Sequence, residues 1–95
     1  MIRFAVLDVE EADGCTRLYL QGCVPDYEYK SHEVVRIDAE TTDVKWGPPP
    51  GRDTPLLGRK AYWSGRAFTV DGAYLKQHTV AGSSGLIMVL ALTTV

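Results

Sequence analysis

Ile2, Phe4 and Val6 alternate with Arg3, Ala5 and Leu7 at the head of the chain. Successive strand side chains point to opposite faces, so this spacing predicts a first strand ending near Val9. Glu10-Glu11-Ala12-Asp13-Gly14 follows, and its Asp-Gly pair is a strong turn signal. Cys15 to Gln21 then reads as the returning strand, with Leu18 and Leu20 on one face and Arg17, Tyr19 and Gln21 on the other. Gly22 to Asp26, carrying Pro25, breaks it. Tyr27 to Ile37 alternates again, Tyr27, Tyr29, Val35 and Ile37 sharing one parity and Glu28, Lys30, His32 and Arg36 the other. The segment has no apolar set at helical spacing, which favours a strand over a short helix from Ser31. Asp38 to Asp43 is polar loop, and Val44-Lys45-Trp46 is expected to form a short strand.

The strongest apolar signal is Leu86 to Val95, seven consecutive apolar side chains followed by three β-branched ones. A strand with no polar alternation must be covered on both faces. These ten residues fall well short of the roughly 20 that a membrane helix needs. Left in water they would be an aggregation hazard, being β-prone, uncharged and free of proline. The segment is therefore expected to be extended and dry on both sides, inside a closed β domain or under a second chain.

Ser64-Gly65 and Asp71-Gly72 read as two-residue turns of a tight meander, and Ala81 to Gly85 as a five-residue one. Two-residue turns set the register, placing Trp63 opposite Arg66, Ala61 opposite Phe68, Val70 opposite Ala73, and Phe68 opposite Leu75. Parity then puts Ala61, Trp63, Phe68, Val70, Ala73 and Leu75 on the core side. Lys60, Tyr62, Ala67, Thr69, Tyr74, Lys76 and His78 fall on the other. Gly47-Pro48-Pro49-Pro50-Gly51 cannot enter a sheet interior, because proline donates nothing to the ladder; three prolines in a row favour polyproline II. With Arg52 to Pro55 it is expected to project from one end as a loop. The expected fold is all-β: a single domain over residues 1–95, a small antiparallel sandwich or barrel of six to seven short strands with a Pro-rich loop.

Ninety-five residues are enough to bury a core without metal or disulfide support. Arg3 and Asp8 interrupt the first apolar segment, so no signal-peptide pattern opens the chain, and the protein is expected in the cytoplasm or in a particle assembled there. No membrane association is expected. The net charge of −2 conceals a split: residues 1–43 hold ten acids and four bases, and residues 44–95 hold six bases and two acids. Such asymmetry points to charged partners or head-to-tail association, or to strands of the two halves neutralising each other. Cys15 and Cys23 lie eight residues apart, roughly 26 Å if the chain between them is extended, far beyond the reach of a disulfide. Two free thiols and a reducing compartment are expected.

Candidate chemistry is sparse. Cys15, Cys23, His32 and His78 lack the C-x2–4-C or H-x3–5-H spacing by which a short loop presents two metal ligands. There is no G-x-S-x-G motif, and a Cys–His pair would have to come from these same residues. Asp8, Glu10, Glu11 and Asp13 crowd one turn without the D-x-[DN]-x-[DN]-G order of a calcium loop, and a solvated turn does not drive carboxylate pKa values apart. Gly47 and Gly51 enclose prolines, which offer no backbone N–H to an anion. No catalytic residue, metal ligand or cofactor is assigned, and the protein is not expected to be an enzyme.

Two contact surfaces remain. Trp46 carries large apolar area and stands beside Pro48, Pro49, Pro50 and Arg52, which makes this loop the expected partner-binding site. Lys60, Tyr62, Tyr74, Lys76 and His78 combine positive charge with rings on which bases stack, the composition of a single-strand nucleic-acid face on a small β-barrel, although the sequence pI of about 5.6 is low for such a protein. The leading expectation is a non-enzymatic binding or assembly module that contacts a protein partner or itself as a homo-oligomer. Its profile is that of a small viral or phage structural subunit of decoration or tail type, or of a phage-encoded inhibitor of host machinery. The alternative is a nucleic-acid-binding barrel.

Overall fold

The computed structural model describes residues 1–22 and 33–95, Val80 by its backbone only. Among them, six strands run in chain order around a closed barrel: β1 (Ile2–Ala12), β2 (Cys15–Leu20), β3 (Val34–Ile37), β4 (Lys60–Trp63), β5 (Arg66–Val80) and β6 (Ser83–Thr94). Each is antiparallel to the next, and β6 closes on β1. Closure removes the sheet edges that a flat meander of this composition would leave open.

Three two-residue turns with both central residues at positive φ set the hairpins: Asp13-Gly14, Ser64-Gly65 and Ala81-Gly82. That backbone matches the right-handed twist of the flanking strands. The first two are the turns read from sequence, and Trp63 does face Arg66, as Ala61 faces Phe68. The third corrects the expected five-residue turn, because Ser83, Ser84 and Gly85 already pair with Val80, Thr79 and His78.

Asp71-Gly72 is not a turn. β5 runs straight through it, with a bulge between Val70 and Gly72 in its pairing with β6. One inserted residue shifts side-chain parity just as a two-residue hairpin would have done. Phe68, Val70 and Ala73 therefore still share the core side, while Leu75 is half-buried. Two further expectations are corrected between the strands. Val44-Lys45-Trp46 is not a strand, since Lys45 has a φ of 55°. The third strand is described from Val34 onward, and residues 27–32 of its expected span lie outside the described residues.

The core is filled from every strand by Phe4, Val6, Leu18, Leu20, Val35, Ile37, Ala61, Phe68, Val70, Ala73, Leu90 and Leu92, with Val44 and Leu56 added from the loops. Trp63 packs on it edge-on to Phe4, with ring centroids 4.9 Å apart, and its indole N–H donates to Glu33 Oε2 at 2.6 Å. A bulge at Leu7 lets β1 serve two neighbours: Ile2 to Val6 pair with β6, and Val6 to Ala12 pair with β2. Thr16 is fully buried. Its hydroxyl reaches the carbonyls of Ala39 and Thr41 and accepts the Thr41 N–H at 3.0 Å, which ties the loop after β3 to the base of the barrel.

β6 is extended, as its apolar run predicts, but it is dry on both sides only over Val89 to Leu92. Leu90 and Leu92 face the barrel interior, whereas Val89 and Ala91 join Ala5 and Tyr74 in a second buried cluster. Leu86 and Val95 are 69% and 78% exposed. Neither end of the run meets the expectation of complete burial, because β1 accompanies β6 only from Leu92 to Met88.

Candidate protein-contact surface

β5 and β6 continue together past the barrel. The last β1–β6 pair is Val6 with Met88, and beyond it Lys76 to Val80 pair with Ile87 to Ser83 as a ribbon of two strands among the described residues. Five residue pairs at about 3.3 Å each give roughly 16 Å of ribbon, in keeping with the 40 × 26 × 24 Å extents of the molecule. The sequence builds it from turn chemistry at Ala81-Gly82 and from small or apolar residues, Ser83-Ser84-Gly85-Leu86-Ile87, on the β6 side. No Asp, Glu, Lys or Arg occurs from Gln77 to Val95. Leu86 lies on this arm, and Leu7, 62% exposed, sits in the β1 bulge where β1 leaves β6 for β2. Among the described residues, no strand lies on the outer edge of β6 from Ser83 to Ile87.

The Pro-rich loop is a strap rather than a projection. β4 covers β5 only from Arg66 to Thr69, and the loop takes over the edge from there. Val70 N–H donates to Arg59 O, Ala73 N–H to Gly51 O and Leu75 N–H to Gly47 O, at 2.9, 2.9 and 2.7 Å. Gly51 N–H donates back to Pro48 O at 2.9 Å. This closes a turn where polyproline II, which has no internal hydrogen bonds, was expected. Of the expected partner-binding residues, Pro48, Pro49, Pro50 and Arg52 are exposed on the strap, and Arg52 reaches Asp71 at 3.4 Å. Trp46 is half-buried against the core, so its ring anchors the strap.

The basic and aromatic residues share the outward side but not one patch. Lys60 is exposed, and Tyr62 is half-buried with the Arg36 guanidinium 4.5 Å above its ring. Tyr74 is buried in the second cluster, next to the strap, so its ring offers no stacking face. Lys76 and His78 belong to the arm, roughly 30 Å along β5 from the Ala67 that faces Tyr62, at about 3.3 Å per residue.

Cys15 is buried, with its thiol 3.1 Å from the Ala12 carbonyl oxygen, and His78 stands on a different hairpin; Cys23 and His32 lie outside the described residues. Among the described residues no three His, Cys, Asp or Glu side chains gather as metal ligands, and no pocket is enclosed. No helix among them is long and apolar enough to cross a membrane.

The arm itself escaped the sequence reading. Its signal was the charge-free stretch on either side of Ala81-Gly82, longer than the segment β1 can cover. Comparison of the chain with protein-family models, with curated proteins and with solved structures gives no match.

Proposed function

We propose that this protein is a non-enzymatic binding or assembly module, working through protein–protein contacts made by the β5–β6 arm. The observation that carries the reading is the ribbon beyond Val6 and Met88, with exposed Leu86 and no strand on its β6 edge among the described residues. A strand edge that nothing pairs with presents unmet backbone N–H and C=O groups, so a neighbouring strand that takes them up adds stability to both. An uncharged edge without proline is also a template for another strand. Small subunits of viral or phage particles and phage-encoded inhibitors of host machinery share the profile of this short, acidic, β-rich chain. A reaching arm suits the first of these, because packed subunits must contact one another past their own barrels.

The test is a variant in which Asn-Gly replaces residues 76–87, compared with the full chain by light scattering during size-exclusion chromatography over a wide concentration range. The full chain should gain mass with concentration, and the armless barrel should fold and remain a monomer. A full chain that is monomeric throughout, or an armless barrel that associates equally well, overturns the reading.

A further inference from the structure

We infer that the occupant of the β6 edge that no described strand covers is a second copy of this chain, paired antiparallel about a two-fold axis at Gly85. This rests on the arm being a contact element and adds its partner and its register. Antiparallel pairing of one segment with itself is isologous, each residue meeting its counterpart through the axis. The edge left by β1 is Ser83 to Ile87. Its centre is Gly85, so the register that uses all of it sets Ser83 opposite Ile87, Ser84 opposite Leu86, and Gly85 opposite Gly85.

Two observations favour a second copy over a different partner. First, a sheet edge is ordinarily kept from its own kind by charge, proline or a bulge, and Ser83 to Ile87 has none of these. Like charges facing each other destabilise a cross-strand pair, and identical chains would bring only neutral side chains together here. Second, the edge has no charge with which to select a charged partner, although the rest of the chain is rich in both signs. Ser83 to Leu86 are all exposed, which leaves room for a neighbour along this stretch. The paired arms would form a four-stranded ribbon, with the exposed Leu86 of each copy diagonal to the other across the axis, within side-chain reach.

The register is tested by cysteine trapping in the full chain carrying Cys23→Ser. Directly opposed residues of an antiparallel pair have Cα atoms about 4.5–5.5 Å apart, inside the range that a disulfide bridges. Gly85→Cys should therefore convert to a covalent dimer on mild oxidation. Ser83→Cys should not, because its two copies would be four positions out of step, roughly 13 Å apart. Mixing Ser83→Cys with Ile87→Cys should restore cross-linking between the two variants. Concentration-dependent association that is lost on arm deletion, with Gly85→Cys remaining uncross-linked, overturns the second copy at this register and leaves the contact reading standing. A chain that does not associate at all removes both.

Discussion

The carbonyl oxygen of Pro50 occupies the space in which a side chain on Gly72 would begin. Gly51, held at a φ of 66°, stands in the same relation to the backbone of Ala73. The strap and β5 approach each other as two backbones with no side chain between them. This is why an Asp-Gly pair sits in the middle of a strand: the glycine serves a long-range contact, not a turn.

Gly72→Ala should therefore destabilise the fold by about 1–3 kcal/mol, the usual cost of forcing extra atoms into a packed site. It should also release the strap, exposing the Ala73 and Leu75 amides to hydrogen exchange. Gly85→Ala is the control, since it has open space around it and no positive φ. It should leave stability unchanged or raise it by up to about 1 kcal/mol through a stiffer unfolded chain. Equal urea midpoints for the two variants would contradict the close approach.

Thr16→Val removes one buried hydroxyl and leaves the size of the side chain nearly the same. The Thr41 carbonyl then loses its donor, while the Thr41 N–H, which donates to both Thr16 Oγ1 and Ala39 O, keeps only the second acceptor at 3.1 Å. A buried polar group left without its partner costs about 1–3 kcal/mol. The expected result is a lower urea midpoint by that amount, with faster exchange at Thr41. An unchanged midpoint would mean that the loop after β3 is held by something other than this hydroxyl.

Trp63→Phe keeps a ring against Phe4 and deletes the N–H that reaches Glu33. A hydrogen bond to a charged group contributes about 1.5–3 kcal/mol, and the partial exposure of this pair places the expected loss near the lower figure, about 1.5 kcal/mol. Glu33→Gln should cost less than Trp63→Phe, because a neutral acceptor remains. The two substitutions together should be less than additive, as required of residues that share a bond.

The barrel was legible because its local signals agreed with one another. Alternation along Ile2 to Val6, the Asp13-Gly14 and Ser64-Gly65 turns, and the run around Val89 to Leu92 all point to paired strands. The core face of Phe68, Val70 and Ala73 was also legible, since a bulge and a tight hairpin shift parity alike. What the chain did not announce was which of the two Asp71-Gly72 makes. That choice depends on Pro50, more than twenty positions away. The strap was hidden for a related reason: prolines cannot donate to a sheet edge, yet Gly47 and Gly51 supply the carbonyls that Leu75 and Ala73 require. The half-buried position of Trp46 has the same origin, because the loop's attachment draws the ring inward.

Leu86 and Leu90 belong to one strand, four positions apart, and the apolar run makes no distinction between them. The structure does: Leu90 is fully buried and Leu86 is 69% exposed. β1 lies beside Leu90, paired with it through Phe4, and has already turned toward β2 before it reaches the level of Leu86. Leu90→Ala should therefore destabilise the protein by about 2–5 kcal/mol, as removal of a buried leucine side chain does. Leu86→Ala, measured at concentrations low enough to keep the chain monomeric, should fall within about 0.5 kcal/mol of the parent, as exposed substitutions do. At high concentration the ranking should change, because Leu86 would then lie at an interface and its loss should weaken association. If Leu86→Ala proves as costly as Leu90→Ala in the dilute monomer, the arm is packed against its own chain and is not held out for a neighbour.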